Sequence, residues 1–428
     1  MSTFWNFITF ADPNIKYIVL GTVLLSVGSA VVGCFSFLRK RALVGDAVAH
    51  SVLPGVCLAF MLSGTKNPLW LLLGAFVTGW LSLLSIDFIS KNSKLKEDTS
   101  IGLVLSVFFG IGILLLTHIQ QSGEASQSGL DKFLFGKAAS LIGSDLWLFL
   151  GVVSVLLLIT FLFFKEFTLL SFDKQYAAAL GLPVRGLELL LTTLTVLAVV
   201  IGIQSVGVVL MAAMLITPAA AARYWTHDIR KMVALAATFG AISGITGAYI
   251  SYAAPAMPTG PWIVLVVSLL AVVSFSFAPR KGIVGSLLLQ RKNRLQIIEE
   301  NILKALFHLG EQENDFFKHR SFEEIIIKRD IEPSQLRTGL RRLRQHGYVL
   351  KEHGLWTLTP EGQQRGKRVT KLHRLWEMYL TTHLNIAPDH VHDDAETMEH
   401  IITPEIERAL EEQLRFPTTD PHGENIPY

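Results

Sequence analysis

At 428 residues, half of them hydrophobic and only 17% charged, with a mean hydropathy of +0.43, the chain is too apolar for an ordinary soluble enzyme. The formal net charge of +3 conceals a division, because about residue 290 onward lie 20 of the 38 Lys and Arg, 23 of the 35 Asp and Glu and ten of the 13 His. A membrane part with many spans, followed by a soluble part, is the organisation this implies. In chain order, the N-terminal MSTFWNFITFADPN has neither a basic n-region nor a small-residue cleavage site, so no cleaved signal peptide is expected. A spanning helix needs about 20 apolar residues. Nine segments approach that: 15–37, 42–63, 67–90, 100–119, 144–164, 186–203, 205–222, 232–253 and 260–279. The run 186–222 is too long for one crossing and is expected to break between Gly202 and Gly207. Fourteen loop Lys and Arg fall on one side, among them Arg39, Lys40, Arg41, Arg223 and Arg230, against four on the other, Lys16, Lys66, Lys132 and Lys137. The positive-inside rule then puts the N-terminus outside and the soluble part in the cytoplasm. Cys34 and Cys57 lie in apolar segments as small hydrophobes, so no disulfide framework is expected.

The second span carries VGDAVAHSVLPG at 44–55. Ionisable groups inside a span are costly unless they face protein or water, and they mark functional positions. Asp46 and His50, four apart, share one helix face, and a carboxylate with an imidazole suits a divalent Zn, Mn or Fe ion. A plainer arrangement satisfies the same spacing: Asp46 near the helix end, and His50 hydrogen-bonded to a neighbouring helix. Pro54 and Gly55 favour a permeation path, since helix breakers are tolerated where neighbours re-satisfy the backbone. Asp87, in LSIDFIS, is the weaker candidate and is expected to be a satisfied structural carboxylate.

The string GDAVAHSVLPGVCLAF resembles the signature of metal-ion ABC importer permeases of the zinc, manganese and iron type, the ABC-3 family. KEDTSIGLVLSVFFGIG at 96–112, LLSFDKQYAAALGLPV at 169–184 and SVGVVLMAAMLITPAAAAR at 205–223 match in the same order, so the similarity covers about residues 10–280. The resemblance implies a multi-pass permease in a bacterial cell (inner) membrane, with Asp46 and His50 contacting the ion in transit. It also implies partners: a separate ABC ATPase, an extracytoplasmic metal-binding protein, and a second permease subunit or a second copy of this chain. No ATP site is expected here, because GLDKFLFGKAA at 129–139 lacks the glycine spacing and the Ser or Thr of a Walker loop. The chain is therefore expected to be a transporter subunit and not an enzyme. Segment 166–182 resembles the coupling helix that docks on the ATPase; by itself it reads as an amphipathic linker.

Beyond a basic connector at 281–296, IIEENILKALFHLG has helical apolar spacing and is expected to stop at Gly310. SFEEIIIKRDI reads as a short helix with Ser321 as N-cap and Glu324 as its capping-box partner. Pro333 opens another helix, PSQLRTGLRRLRQHG, and YVLKEHGLWTLTPEG gives two short β runs around Glu352–Gly354. Helix, turn, basic helix and hairpin is the order of a winged helix-turn-helix over 297–370. Residues 318–374 hold fourteen Lys and Arg against six Asp and Glu, whereas 375–428 hold two against twelve. The first stretch suits nucleic-acid phosphates, and the second can concentrate cations. In the basic helix Ser334, Gln335, Arg337, Thr338 and Arg341 would face operator DNA, although each arginine suits phosphate or solvent equally well. KLHRLWE puts His373 and Glu377 on one helix face, and VHDDAETMEH puts His392, Glu396, Glu399 and His400 on another. Such stripes are either solvated amphipathic faces or metal ligands.

Residues 296–428 resemble metal-dependent repressors of the diphtheria toxin repressor type through HRLWE, VHDDAETMEH and HIITPEIERALEEQL…PTTDPHGENIPY, with 371–428 as the metal-binding and dimerisation domain. The resemblance ends at Tyr428 and leaves out the SH3-like third domain of some members. It implies one ligand set of His373, Glu377 and His392 and a second of Glu396, Glu399 and His400. Glutamate at 396, where iron-responsive members carry cysteine, favours Mn(II). Where that family's first helix supplies further ligands this chain has Asn301 and Lys304, beside Glu300, and a protonated lysine cannot ligate. The combined expectation is an all-α polytopic membrane domain of about nine helices, 1–280, fused to a winged helix-turn-helix and a helical metal-binding domain. A divalent ion, Mn or Fe with Zn as the alternative, would be both substrate and co-repressor. A rival expectation makes the tail an in-cis regulator that locks the importer, and a third makes it a repressor released by proteolysis in the connector.

Overall fold

The computed structural model describes residues 2–428 apart from 11, 66, 122–140, 255–256, 280–281, 330, 385 and 387–401. It divides into two units, Met1–Ser286 and Leu287–Tyr428. The first is helical throughout its described residues: α1 (Ser2–Ile8), α2 (Pro13–Leu38), α3 (Val44–Ser51), α4 (Leu53–Ser63), α5 (Pro68–Asn92), α6 (Glu97–Gln121) and α7 (Gly143–Leu162), then α8 (Phe164–Phe172), α9 (Lys174–Ala179), α10 (Val184–Val206), α11 (Val208–Trp225), α12 (Ile229–Ala253) and α13 (Thr259–Phe277). Eight stretches of the described residues are long and apolar enough to cross a membrane, counting α3 and α4 together as one. The remaining expected segment, 205–222, is helical as α11.

Local chemistry sets the boundaries. Asp12 and Asn67 accept from the N–H groups of Asn14 (2.8 Å) and Leu69 (3.0 Å), each followed by a proline that opens the helix. The long run breaks at Gly207, whose φ of 91° is a conformation that favours glycine. The 42–63 segment is two helices meeting at Val52, because Pro54 has no N–H to offer the carbonyl of His50.

Helix α2 packs against α7, α10, α11 and α12, while α3 and α4 pack against α5 and α6. With no hydrophobic drive between helices in lipid, small residues allow the backbones to approach. A Cβ on Gly33 would lie 1.6 Å from the carbonyl oxygen of Leu215, one on Gly55 2.0 Å from that of Gly74, and one on Gly240 2.8 Å from that of Ser26. Gly33→Ala is therefore expected to cost more than about 3 kcal/mol, since the clash is with backbone and not with a side chain that can turn aside. Thermal unfolding in detergent should show this as a large fall in Tm, and an unchanged Tm would contradict the packing.

In the second unit, α14 (Ile283–Glu313) is longer than expected. It runs back through most of the connector and forward past Gly310. Gly310 does not stop the helix; a Cβ there would lie 2.6 Å from the Phe316 ring, so the glycine allows the chain to fold back after Asn314, whose φ is 56°. Next come α15 (Phe322–Lys328), α16 (Pro333–Gln345), the strands β1 (Val349–Glu352) and β2 (Leu355–Leu358), α17 (Pro360–Leu384) and α18 (Pro404–Gln413). Ser321 and Glu324 form the expected reciprocal cap at 3.2 and 3.1 Å. The strands pair antiparallel, Val349 with Leu358 and Glu352 with Leu355, through a His353–Gly354 turn with both φ values positive. Ile302, Leu306, Ile325, Leu336, Leu340 and Val349 form the core between α14, the helix pair and the hairpin.

Candidate functional site

In the membrane unit Asp46 and His50 lie on α3, with Asp46 Oδ1 3.5 Å from His50 Nε2. The imidazole stands edge-on to Phe109 of α6, ring centroids 5.2 Å apart, and its Nδ1 is buried with no hydrogen-bond partner. The Asp46 side chain remains 44% exposed. Around them the helix is buried through Val44, Ala47, Val48 and Ser51, and Gly45 lets α3 close on Leu215 of α11. Packing thus holds the backbone of the pair while a carboxylate oxygen and a ring nitrogen remain uncommitted to other elements. That is a donor set for a divalent ion.

Asp87 is satisfied, as expected for a structural carboxylate: Arg41 reaches it at 3.0 Å and Glu97 at 2.9 Å, joining the ends of α5 and α6 to the loop before α3. A second such junction holds the segment that resembles a coupling helix. Glu188 of α10 receives Lys174 of α9 at 2.8 Å and Arg39, just past α2, at 3.3 Å, and is itself 15% exposed. Glu188→Gln would leave the largely buried Arg39 without its counter-charge. A loss on the order of 2 kcal/mol is expected, less than the ~3–5 of a fully buried pair. It should appear as a lower Tm at low salt, and Tm values equal to wild type would rule it out.

In the soluble unit His373 and Glu377 of α17 are buried, with Nε2 and Oε1 3.0 Å apart. They line a cavity of about 410 Å³ together with His308, Glu311, Asp420 and His422. His308, Glu311 and the C-terminal residues gave no sequence signal, because they are brought in from other elements. Burial first, then the nearby charges of Arg374 and Lys304, push His308 down to about 3, so its imidazole is neutral at physiological pH, and its Nε2 is buried without a partner. Arg374 is 5% exposed. It meets Glu311 through two 2.9 Å bonds and donates to the carbonyl of Asn425. Asn301 Oδ1 is likewise buried and unpartnered, and Lys304 is 2% exposed. Among the described residues no three His, Cys, Asp or Glu are already gathered as a metal-holding group. The expected ligands His392, Glu396, Glu399 and His400 lie outside the described residues. The residues present still fit a divalent ion: a buried imidazole–carboxylate pair, with orphaned nitrogen and oxygen donors buried in the same unit.

On α16 Ser334, Arg337, Thr338 and Arg341 are exposed, and Gln335 is half-buried. Ser334 and Gln335 donate to Glu332 at 2.6 and 3.0 Å, and Arg337 lies over the Phe322 ring at 5.7 Å. Arg342, also on α16, pairs instead with Glu299 of α14 and so belongs to the packing.

A bundle of apolar helices carrying an aspartate–histidine pair on a broken span is the architecture of a membrane permease. The chain belongs to the ABC 3 transport family, which it matches over residues 11–278. Residues 359–428 match the iron dependent repressor, metal binding and dimerisation domain. The manganese transport system membrane protein MntC of Bacillus subtilis is 45% identical over 376 residues, 88% of this chain and 86% of that one. The zinc transport system membrane protein TroC of Treponema pallidum is 43% identical over 68% of this chain and 97% of its own. Among solved structures, PsaBC from Streptococcus pneumoniae in complex with Fab aligns with a TM-score of 0.58 at 35% identity, covering 65% of this chain and 97% of that chain.

Proposed function

We propose that this chain is the permease subunit of an ATP-driven importer of a divalent transition metal, Mn(II) before Fe(II) or Zn(II), and that its tail senses the same ion as a DNA-binding repressor. The observation that carries this is the occurrence in one chain of the two family matches, 11–278 and 359–428. The names of the relatives, manganese and zinc transport proteins, support the class of ion. The N-terminus lies outside and the tail in the cytoplasm. A separate ATPase docks at α8 and α9, an extracytoplasmic binding protein delivers the ion, and a second permease subunit completes the pore.

In transport the Asp46 carboxylate and the His50 imidazole replace water on the ion, offering one hard oxygen and one nitrogen where the lipid would offer neither. Closure on one side and opening on the other is driven by the ATPase. In the cytoplasm the ion is held by His373, Glu377 and His392 and by Glu396, Glu399 and His400, with Asn301 offering an amide oxygen. Preference of the metal for the DNA-competent form is what makes it a co-repressor. Ser334, Gln335, Arg337, Thr338 and Arg341 of α16 would then face operator DNA.

The tether itself favours a second reading, in which the tail binds excess metal and locks the importer without touching DNA. Retardation of promoter fragments by the full chain in detergent, with and without Mn(II) at fixed salt, separates the two. Metal-dependent retardation is the expected result. No retardation at any Mn(II) concentration, with uptake inhibited as internal metal rises, would establish the lock.

A further inference from the structure

Helix α14 changes character along its length. Ile302, Leu303 and Leu306 are buried in the core that it forms with α15, α16 and the hairpin. Its first two turns are not buried: Ile283, Val284, Leu287, Leu288 and Leu289 are 40–62% exposed. At about 100° per residue the first four of these share one face roughly 140° wide. The next turn is basic. Arg291, Lys292 and Arg294 are all exposed, and no acidic residue lies between Asp228 and Glu299. Position in the chain decides what can cover this face. Helix α13 ends at Phe277 and the chain turns at once: Gly282 N–H donates to Ala278 O at 2.9 Å, and a Cβ on Gly282 would lie 2.6 Å from that same oxygen. A Cβ on Gly285 would lie 3.3 Å from the carbonyl oxygen of Pro279, so the first turn of α14 stays against the end of the span. Apolar surface in water is unfavourable in proportion to its area, and the nearest apolar medium is the bilayer in which α13 ends.

We propose that the first two turns of α14 lie in the headgroup layer of the membrane, with Arg291, Lys292 and Arg294 on the phosphates of anionic lipids. An amphipathic helix at an interface sinks its apolar face about 5–10 Å into the boundary of headgroups and acyl chains. Long basic side chains lie along that boundary and hold their charges at the phosphates. The cytoplasmic leaflet, where the proposed orientation puts the tail, is the anionic one. The inference goes beyond the transport and sensing readings and depends on neither, since it requires only that α13 spans the bilayer. In consequence α14 begins as a lipid-bound helix and not as a free linker.

The test is a nitroxide label on Leu288→Cys or, on the other side of the helix, on Asn293→Cys, in the full chain in nanodiscs of phosphatidylcholine with or without phosphatidylglycerol. Cys34 and Cys57 are fully buried, and the chain without an added cysteine is the labelling control. Power saturation compares collisions of the label with oxygen, which concentrates in the bilayer, and with a water-soluble nickel chelate. With phosphatidylglycerol present, the label at 288 should collide mostly with oxygen and the label at 293 mostly with nickel. Arg291→Gln, Lys292→Gln and Arg294→Gln combined should lower the ratio of immersed to aqueous label at 288 at least about tenfold in those discs, because each basic residue adds a severalfold preference for an anionic surface. Nickel-dominated collisions at 288 in both lipids would overturn the proposal. So would screening of that label from both reagents, which would mean that protein covers the face. Oxygen-dominated collisions that respond neither to phosphatidylglycerol nor to the glutamine variant would overturn the assignment to anionic lipid.

Discussion

Mn(II) uptake by cells that express this chain with the ATPase proposed as its partner should fall by at least about 100-fold in Asp46→Ala and in His50→Ala, equivalent to about 2.7 kcal/mol at 1.36 kcal/mol per factor of ten. On the proposed path each substitution removes one of the two donors offered to the ion, and neither alanine nor lipid supplies another. The folded protein should survive. The pair lies within one helix, alanine is a good helix former, and removing an ionisable group from a span relieves a cost. Quantifying the chain in membranes beside radiolabelled Mn(II) uptake checks both halves of the expectation. Asp46→Asn and His50→Gln refine it, since each keeps shape and one neutral donor and should fall between wild type and alanine. Normal uptake in both alanine variants would remove Asp46 and His50 from the path.

His373→Ala should abolish metal-responsive DNA binding by the full chain, raising the Mn(II) needed for half-maximal retardation at least about 100-fold, at the upper end of what perturbing a metal's surroundings costs. His373 is a buried residue on the same helix face as Glu377, so its loss removes the 3.0 Å partner of that carboxylate inside the cavity. Uptake at low external metal should be unaffected, because the substitution lies in the other compact unit. The rival reading predicts a different phenotype for the same variant: uptake that no longer declines when internal metal is high. Gel retardation and uptake at two metal loads therefore decide between repressor and lock with one substitution.

Much of the membrane unit could be read from the sequence because its boundaries are local. Asp12–Pro13 and Asn67–Pro68 announce helix starts within a few residues, and Gly207 marks a break that only its backbone freedom permits. The capping box at Ser321 and the hairpin turn at His353–Gly354 are equally short-range. What escaped is long-range. Asp87 could be judged structural from its position, but its partner Arg41 is 46 residues away, and Glu311 meets Arg374 across 63. Helical spacing shows which side chains share a face; it says nothing about which loop will arrive opposite. Spacing alone therefore does not bring His422 beside the HRLWE helix. Gly310 departs from the expected helix stop for a related reason, since a glycine that ends a helix and a glycine that admits a packed ring look identical in sequence, and only the fold sets Phe316 against it.

The contacts at Gly33, Gly55 and Gly240 place one main chain directly on another, with no layer of flexible side chains between them. Sheets of such contacts do not shear gradually; helices joined this way turn as blocks. In the proposed transport cycle, motion is then expected where the helical ladder is already interrupted, at Val52, just past the aspartate–histidine turn, and at Gly207, where α11 begins. Spin-label distances within a block should stay constant through the cycle, while those spanning either joint change.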